Sequence, residues 1–258
     1  MNTLYKAITV LGVMLVMGGL IPSVKAQAST LQNQAVDFLS QGQDKAKRGD
    51  YLGAIADYNQ AIGVNPNLIK AYIHRGTAHH DVGDINSAIA DFNSVLRREP
   101  NNAVARYSRG EARSDVGDLP GAIADLNQAI VLAPKYAEAY NNRAVAYAMM
   151  GNLQATVADL NQVIKLNPNY VDAYYNRGKA RTALGETKGA ISDYTQAVRL
   201  KPDLAEAYGN RGLLYAETGN KQAALTDLHQ AAQLFAKQGE QESYQQTLGF
   251  IQQVQNKD

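Results

Sequence analysis

The chain has 258 residues, 45% of them apolar, and a formal net charge of +1. That is enough apolar content to build a core, and the near balance of charge, with no run of lysine or arginine, excludes the electrostatics by which nucleic-acid binders hold phosphates. There is no cysteine, which excludes disulfides, zinc–thiolate sites, a thiol nucleophile and a lipidated cysteine.

The first segment, MNTLYKAITVLGVMLVMGGLIPSVKAQA, stands apart. Lys6 precedes an apolar run from Ala7 to Ile21, Pro22 breaks it, and small residues follow. This is the order of a secretory signal peptide over residues 1–28, with cleavage expected after Ala26 or Ala28. The run is shorter than the ~20 residues that a spanning helix needs. The alternative is an uncleaved N-terminal anchor. Residues 1–28 carry Lys6 and Lys25 and no acid, so removal would leave 23 cations against 24 anions. The expectation is export to a periplasm, a thylakoid lumen or the cell exterior, with no membrane span after cleavage.

From residue 35 onward the sequence repeats. Pro66, Pro100, Pro134, Pro168 and Pro202 are 34 residues apart, and so are Gly49, Gly83, Gly117, Gly151, Gly185 and Gly219. Small residues keep the same step at Gly42, Gly76, Gly110, Ala144, Gly178 and Gly212, and again at Ala54, Ala88, Ala122, Thr156, Ala190 and Ala224. The period divides the chain into units 35–68, 69–102, 103–136, 137–170, 171–204 and 205–238. Each unit reads as two helices. In the fourth, Tyr140, Ala144 and Tyr147 share a face of the first helix, which ends at Gly151. Val157, Leu160, Val163 and Ile164 form the inner stripe of the second, which Asn167-Pro168 stops. The small columns fall where paired helices cross. After Gln238, residues 240–255 place Tyr244, Leu248, Ile251 and Val254 at helical spacing. They are expected to cap the exposed face of the last unit.

The glycine, small-residue and proline columns, with Phe38, Tyr72, Tyr140, Tyr174 and Tyr208 near the unit starts, resemble the tetratricopeptide repeat. The resemblance covers six units over residues 35–238 and is closest to bacterial, especially cyanobacterial, versions. It implies an all-α, right-handed superhelical solenoid over residues 29–258. It also implies a non-catalytic scaffold that binds a peptide or protein in a concave groove lined by first helices, in envelope or lumenal assembly. A self-associating scaffold or an accessory subunit of an enzyme complex is the alternative. The sequence departs from the pattern at Arg106-Tyr107, Lys45, Thr156 and Ala236.

Two charged columns keep the period: Arg75, Arg109, Arg143, Arg177 and Arg211, and Asp57, Asp91, Asp125, Asp159, Asp193 and Asp227. They vary together, which predicts ion pairs between helices with a structural role. Pairing within a unit would join Arg143 to Asp159; pairing across units would join Asp125 to Arg143. The first scheme orphans Asp57 and the second Asp227.

Asn142, Asn176 and Asn210 immediately precede three of those arginines, with His74 and Ser108 at the earlier places. They are similar to the asparagine ladder of the O-linked N-acetylglucosamine transferase repeats, which holds a peptide backbone. An amide suits that task because it both donates and accepts. Asn141, Tyr107, Tyr175 and Lys179 are the further groove candidates, with Lys70, Glu111, Met149 and Glu217 nearby. The carboxylate clamp of chaperone-binding members is not met, since Asn141 and Tyr175 stand where its lysines belong. His74, His79 and His80 lack metal-ligand spacing; His79 is expected to pack and His80 to face the groove. No phosphate loop, nucleophile elbow or dinucleotide fingerprint occurs. No catalytic residue, metal or cofactor is expected, and self-association is left open.

Overall fold

A computed structural model of the chain describes residues 24–256, which form thirteen α-helices and no strand. The segment read as a signal peptide lies outside the described residues up to position 23. In chain order the helices are α1 (Val24–Lys47), α2 (Tyr51–Val64), α3 (Ile69–Asp81), α4 (Ile85–Arg98), α5 (Ala103–Asp115), α6 (Leu119–Leu132) and α7 (Ala137–Met149). They continue as α8 (Leu153–Leu166), α9 (Val171–Ala183), α10 (Thr187–Leu200), α11 (Ala205–Glu217), α12 (Lys221–Gln238) and α13 (Gln241–Gln255). Both expected cleavage points fall inside the first turns of α1. The chain divides into two compact units, one ending at Val82 and one beginning at Gly83. In the first, α1 packs on α2 and α2 on α3. In the second, α5–α6, α7–α8, α9–α10 and α11–α12 form hairpins, and each second helix packs on the first helix of the next repeat. The fold is all-α and built of helical repeats.

The repeats share one punctuation, except that in the fifth Glu186 supplies no side-chain cap to the second helix. Gly151 takes φ 75°, a left-handed conformation that lets α7 stop and turn. The N–H groups of Gly151 and Asn152 then bond the carbonyls of Ala148 and Tyr147 at 2.9 Å each. The next helix starts on a side-chain cap: Asn152 accepts from the Ala155 N–H at 3.2 Å, as Asp50 does from Gly53 at 2.9 Å and Asp118 from Gly121 at 3.0 Å. It ends at an extended Asn167, whose geometry the following Pro168 favours. With Ala236 in the proline column, α12 runs to 18 residues and stops at Gly239, where φ is 80°. Then α13 lays Ile251 and Val254 against Ala224, Leu228 and Ala232, closing the array.

The core is built from alanine because the helices cross closely. Ala54, Ala88, Ala122, Ala190 and Ala224 are fully buried. At Gly178 a Cβ would stand 2.8 Å from the buried Tyr194 ring. The fourth repeat differs, with Ala144 in that glycine column and Thr156 in the alanine column. The Thr156 hydroxyl donates to the carbonyls of Asn152 at 3.0 Å and Ala144 at 3.3 Å, so its buried polar atom is satisfied.

Candidate functional site

The arginine column sits on the first helices and the aspartate column on the second. Pairing runs within the repeat from the third repeat to the sixth. Arg143 donates to both oxygens of Asp159, from Nε at 2.8 Å and Nη2 at 2.6 Å. Arg109–Asp125, Arg177–Asp193 and Arg211–Asp227 repeat the fork. Asp57, the residue this scheme leaves over, meets Lys45 at 2.8 Å. Asp91 is buried in the same way as the other aspartates of its column.

The remaining nitrogen of each guanidinium points the other way. Nη1 of Arg143 reaches Asn127 Oδ1 at 2.5 Å, and Arg75, Arg109 and Arg177 reach Asn59, Asn93 and Asn161 at 2.6 Å each. Arg211 reaches Thr195 at 3.0 Å. Each of these partners lies 16 residues before its arginine, and each paired aspartate lies 16 after. Arg109, Arg143, Arg177 and Arg211 each therefore tie the second helix before them to the second helix after them. The asparagines are a column with the 34-residue step that the sequence reading passed over. The spacing was the signal that could have found them.

Tyrosines complete the ladder. Tyr72, Tyr140, Tyr174 and Tyr208 lie 5.5, 5.5, 5.6 and 5.5 Å from their arginines, within cation–π range. In the third repeat Arg106 takes that place, and it adds a third cation to Asp125 beside Arg109 and Arg113. In the fifth, Arg181 joins Arg177 on Asp193. Hydrogen bonds to the aspartate, against the opposing effect of burial, raise the already high pKa of Arg143 and Arg211. These guanidiniums are committed to carboxylates and do not form a free anion-binding row.

The asparagine row lies on the first helices of repeats four to six. The Asn142 amide donates to the Tyr107 hydroxyl at 3.1 Å and to Glu111 at 3.3 Å in the preceding repeat. The Asn210 amide donates to the Tyr175 hydroxyl at 3.5 Å. Burial, then Glu111, pushes Tyr107 well above the ordinary tyrosine range, and burial, then Glu206, raises Tyr175. Both phenols stay protonated. The middle rung is unclosed. The residue equivalent to Tyr107 and Tyr175 is Asn141, whose Oδ1 is buried with no hydrogen-bond partner among the described residues. Asn176 makes no hydrogen bond among the described residues. Lys179 is exposed, with its ammonium 5.7 Å from the Tyr175 ring centroid.

Asn176 and Lys179 stand at a hollow of about 390 Å³ among α7, α8 and α9, lined also by Val145, Met149, Leu153 and Leu160. The sequence reading did not foresee it, because it arises from side chains of three helices. His79 and His80 are both half-buried. His74 stacks on Tyr58, with centroids 5.9 Å apart, and its Nε2 accepts from the Gln43 amide at 2.8 Å. Among the described residues no group of three or more His, Cys, Asp or Glu could hold a metal ion, and no helix is long and apolar enough to cross a membrane.

Sequence profiles described as TPR repeat match residues 42–83, 115–151 and 178–219, and profiles described as tetratricopeptide repeat match 69–102, 137–170 and 205–238. No curated protein matches the chain. Among solved structures, a crystal structure of MamA is 32% identical, with a TM-score of 0.61 over 64% of this chain and 96% of that one. YrrB, described as a TPR protein with an unusual peptide-binding site, is 20% identical, with a TM-score of 0.61 over 69% of this chain and 91% of that one. PilF of Pseudomonas aeruginosa is 14% identical, with a TM-score of 0.73 over 85% of this chain and 99% of that one. With its repeat profiles matched from residue 42 to residue 238, this chain belongs to the tetratricopeptide repeat family.

Proposed function

We propose that this protein is a non-catalytic interaction scaffold that holds an extended segment of a partner protein against its first helices in repeats three to six. The observation that carries the reading is the unclosed rung. Asn176 offers a donor and an acceptor with no partner among the described residues, beside the exposed Lys179 and between the closed Asn142–Tyr107 and Asn210–Tyr175 pairs. A peptide main chain supplies the complementary donor and acceptor whatever its sequence. The flanking tyrosines add contact area at low rotamer cost. The charged columns are spent on internal pairing, which leaves the amides, tyrosines and Lys179 as the groups turned to recognition.

The place of action we propose is outside the cytoplasm, in envelope or lumenal assembly, on the order of charged, apolar and small residues in 1–28. The test is a photo-crosslinker placed at Tyr175 or Glu217 in the full chain, expressed in its native cells. A partner protein should be crosslinked from this face, and Asn176→Ala should reduce its recovery with helical circular dichroism unchanged. Crosslinks that form only from second-helix positions would overturn the reading.

A further inference from the structure

At the hollow among α7, α8 and α9 this repeat array departs from its own pattern. At the position of Val145 the other repeats carry Gln43, Thr77, Glu111, Lys179 and Leu213; at the position of Met149 they carry Lys47, Asp81, Asp115, Ala183 and Glu217. Only the fourth repeat is apolar at both. Val145 and Met149 remain 40% and 61% exposed, so their apolar surface is turned outward and does not serve the core. Behind them, Ala144 and Thr156 are the larger members of columns that elsewhere hold glycine and alanine. Both line the hollow with Leu160.

The charges on its two sides are opposite. Val145 also lines a second, smaller hollow with Glu111 and Asn142. Glu111 is held there by neutral donors, Tyr107 and Asn142, and forms no ion pair among the described residues. On the other side Lys179 forms none either. An apolar hollow thus lies between an unneutralised anion of the third repeat and an unneutralised cation of the fifth.

We propose that this hollow takes one bulky apolar side chain, aromatic or methionine, from a partner segment that places a basic residue over Glu111 and an acidic residue over Lys179. The proposal rests on the scaffold reading above and supplies its specificity. The main chain bonds Asn176 whatever the sequence. The apolar anchor and the order of charges select which segment binds. Met149, unbranched and polarizable, adapts to the shape of the incoming side chain. The opposed charges fix the direction in which the segment lies, because the reverse order sets like charges together.

The probes are fluorescein-labelled nine-residue peptides with Phe, Met or Ala at the centre and Lys and Glu three residues to either side, in both charge orders. They are titrated by anisotropy against the full chain. The Phe and Met peptides should bind in one charge order, and the Ala peptide should bind at least about tenfold more weakly, as loss of a buried apolar side chain requires. Met149→Asp, at an already solvated position, should cost the same factor with unchanged circular dichroism. Lys179→Glu, which leaves an anion on both sides, should erase the preference between the two charge orders. Peptide binding that ignores the central residue and survives Met149→Asp, yet falls with Asn176→Ala, would overturn the pocket and leave the scaffold reading intact. Failure of every peptide while the native partner still crosslinks from Tyr175 would overturn this ligand chemistry alone. Self-association in ultracentrifugation that Met149→Asp abolishes would make the occupant a second copy and overturn the partner proposed here.

Discussion

Arg143 grips Asp159 through two nitrogens and Asn127 through the third, so one side chain of α7 spans α6 and α8. Asp159 is only 5% exposed, and a carboxylate so placed depends on its partner. Replacing one member of a buried pair leaves an uncompensated charge, whereas replacing both with apolar groups can be neutral. Arg143→Met alone should destabilise the chain by about 3–5 kcal/mol. Arg143→Met with Asp159→Leu should recover most of that loss. Urea denaturation of the two variants checks it; a double variant no better than the single one would contradict the pairing energetics.

Asn127 is the neutral end of the same strut. Asn127→Ala removes one hydrogen bond to a charged group and leaves the Arg143–Asp159 fork in place, so it should cost about 1.5–3 kcal/mol at most. The loss should shrink in the Arg143→Met background, because the two residues are coupled. Additive losses in a double-mutant cycle would show that the strut carries no energy between repeats.

Two glycines predict opposite effects of the same substitution. A Cβ at Gly178 meets the Tyr194 ring at 2.8 Å, and that ring is 1% exposed. Gly178→Ala should therefore destabilise by about 1–3 kcal/mol through overpacking. A Cβ at Gly63, in the last turn of α2, meets nothing within 4 Å. Gly63→Ala should stabilise by about 0.4–1 kcal/mol by restricting the unfolded chain. Thermal melts of both variants decide the signs.

His74 predicts a pH dependence. Burial, then the nearby Lys70, lowers its pKa from 6.5, and its Nε2 accepts a hydrogen bond from Gln43 while the ring lies over Tyr58. Folding favours the neutral imidazole, so its contribution is fully present above pH 6.5 and is lost as pH falls below that value toward the folded pKa. The wild type should lose more stability between pH 7.5 and 5 than His74→Gln does. Equal losses in denaturant titrations at the two pH values would show that His74 is not the group responsible.

The proposed export predicts a shortened chain. Mass spectrometry of the protein from its native cells should find an N-terminus near Gln27 or Ser29 in the exported fraction. A soluble cytoplasmic form that retains Met1 would contradict it.

The 34-residue step of glycine, proline and small residues was enough to determine the helix pairs, their ends and their crossings. Those features depend on local backbone chemistry: Gly151 can take a positive φ, Pro168 cannot continue a helix, and Gly178 leaves room for Tyr194. The closing helix was legible for the same reason, since an apolar stripe at helical spacing needs a face to cover. Periodicity could not say whether Arg143 reaches Asp125 or Asp159. Every column recurs at the same interval, so pairing within and between repeats look alike in one dimension. Helix packing decided it by setting α7 so that the guanidinium fork meets Asp159 and its third nitrogen meets Asn127. Packing likewise closed the Asn142–Tyr107 rung, left Asn176 open, and brought Val145, Met149 and Leu160 from two helices around one hollow. Such contacts depend on the angle and distance at which helices cross, and no spacing along the chain encodes these directly.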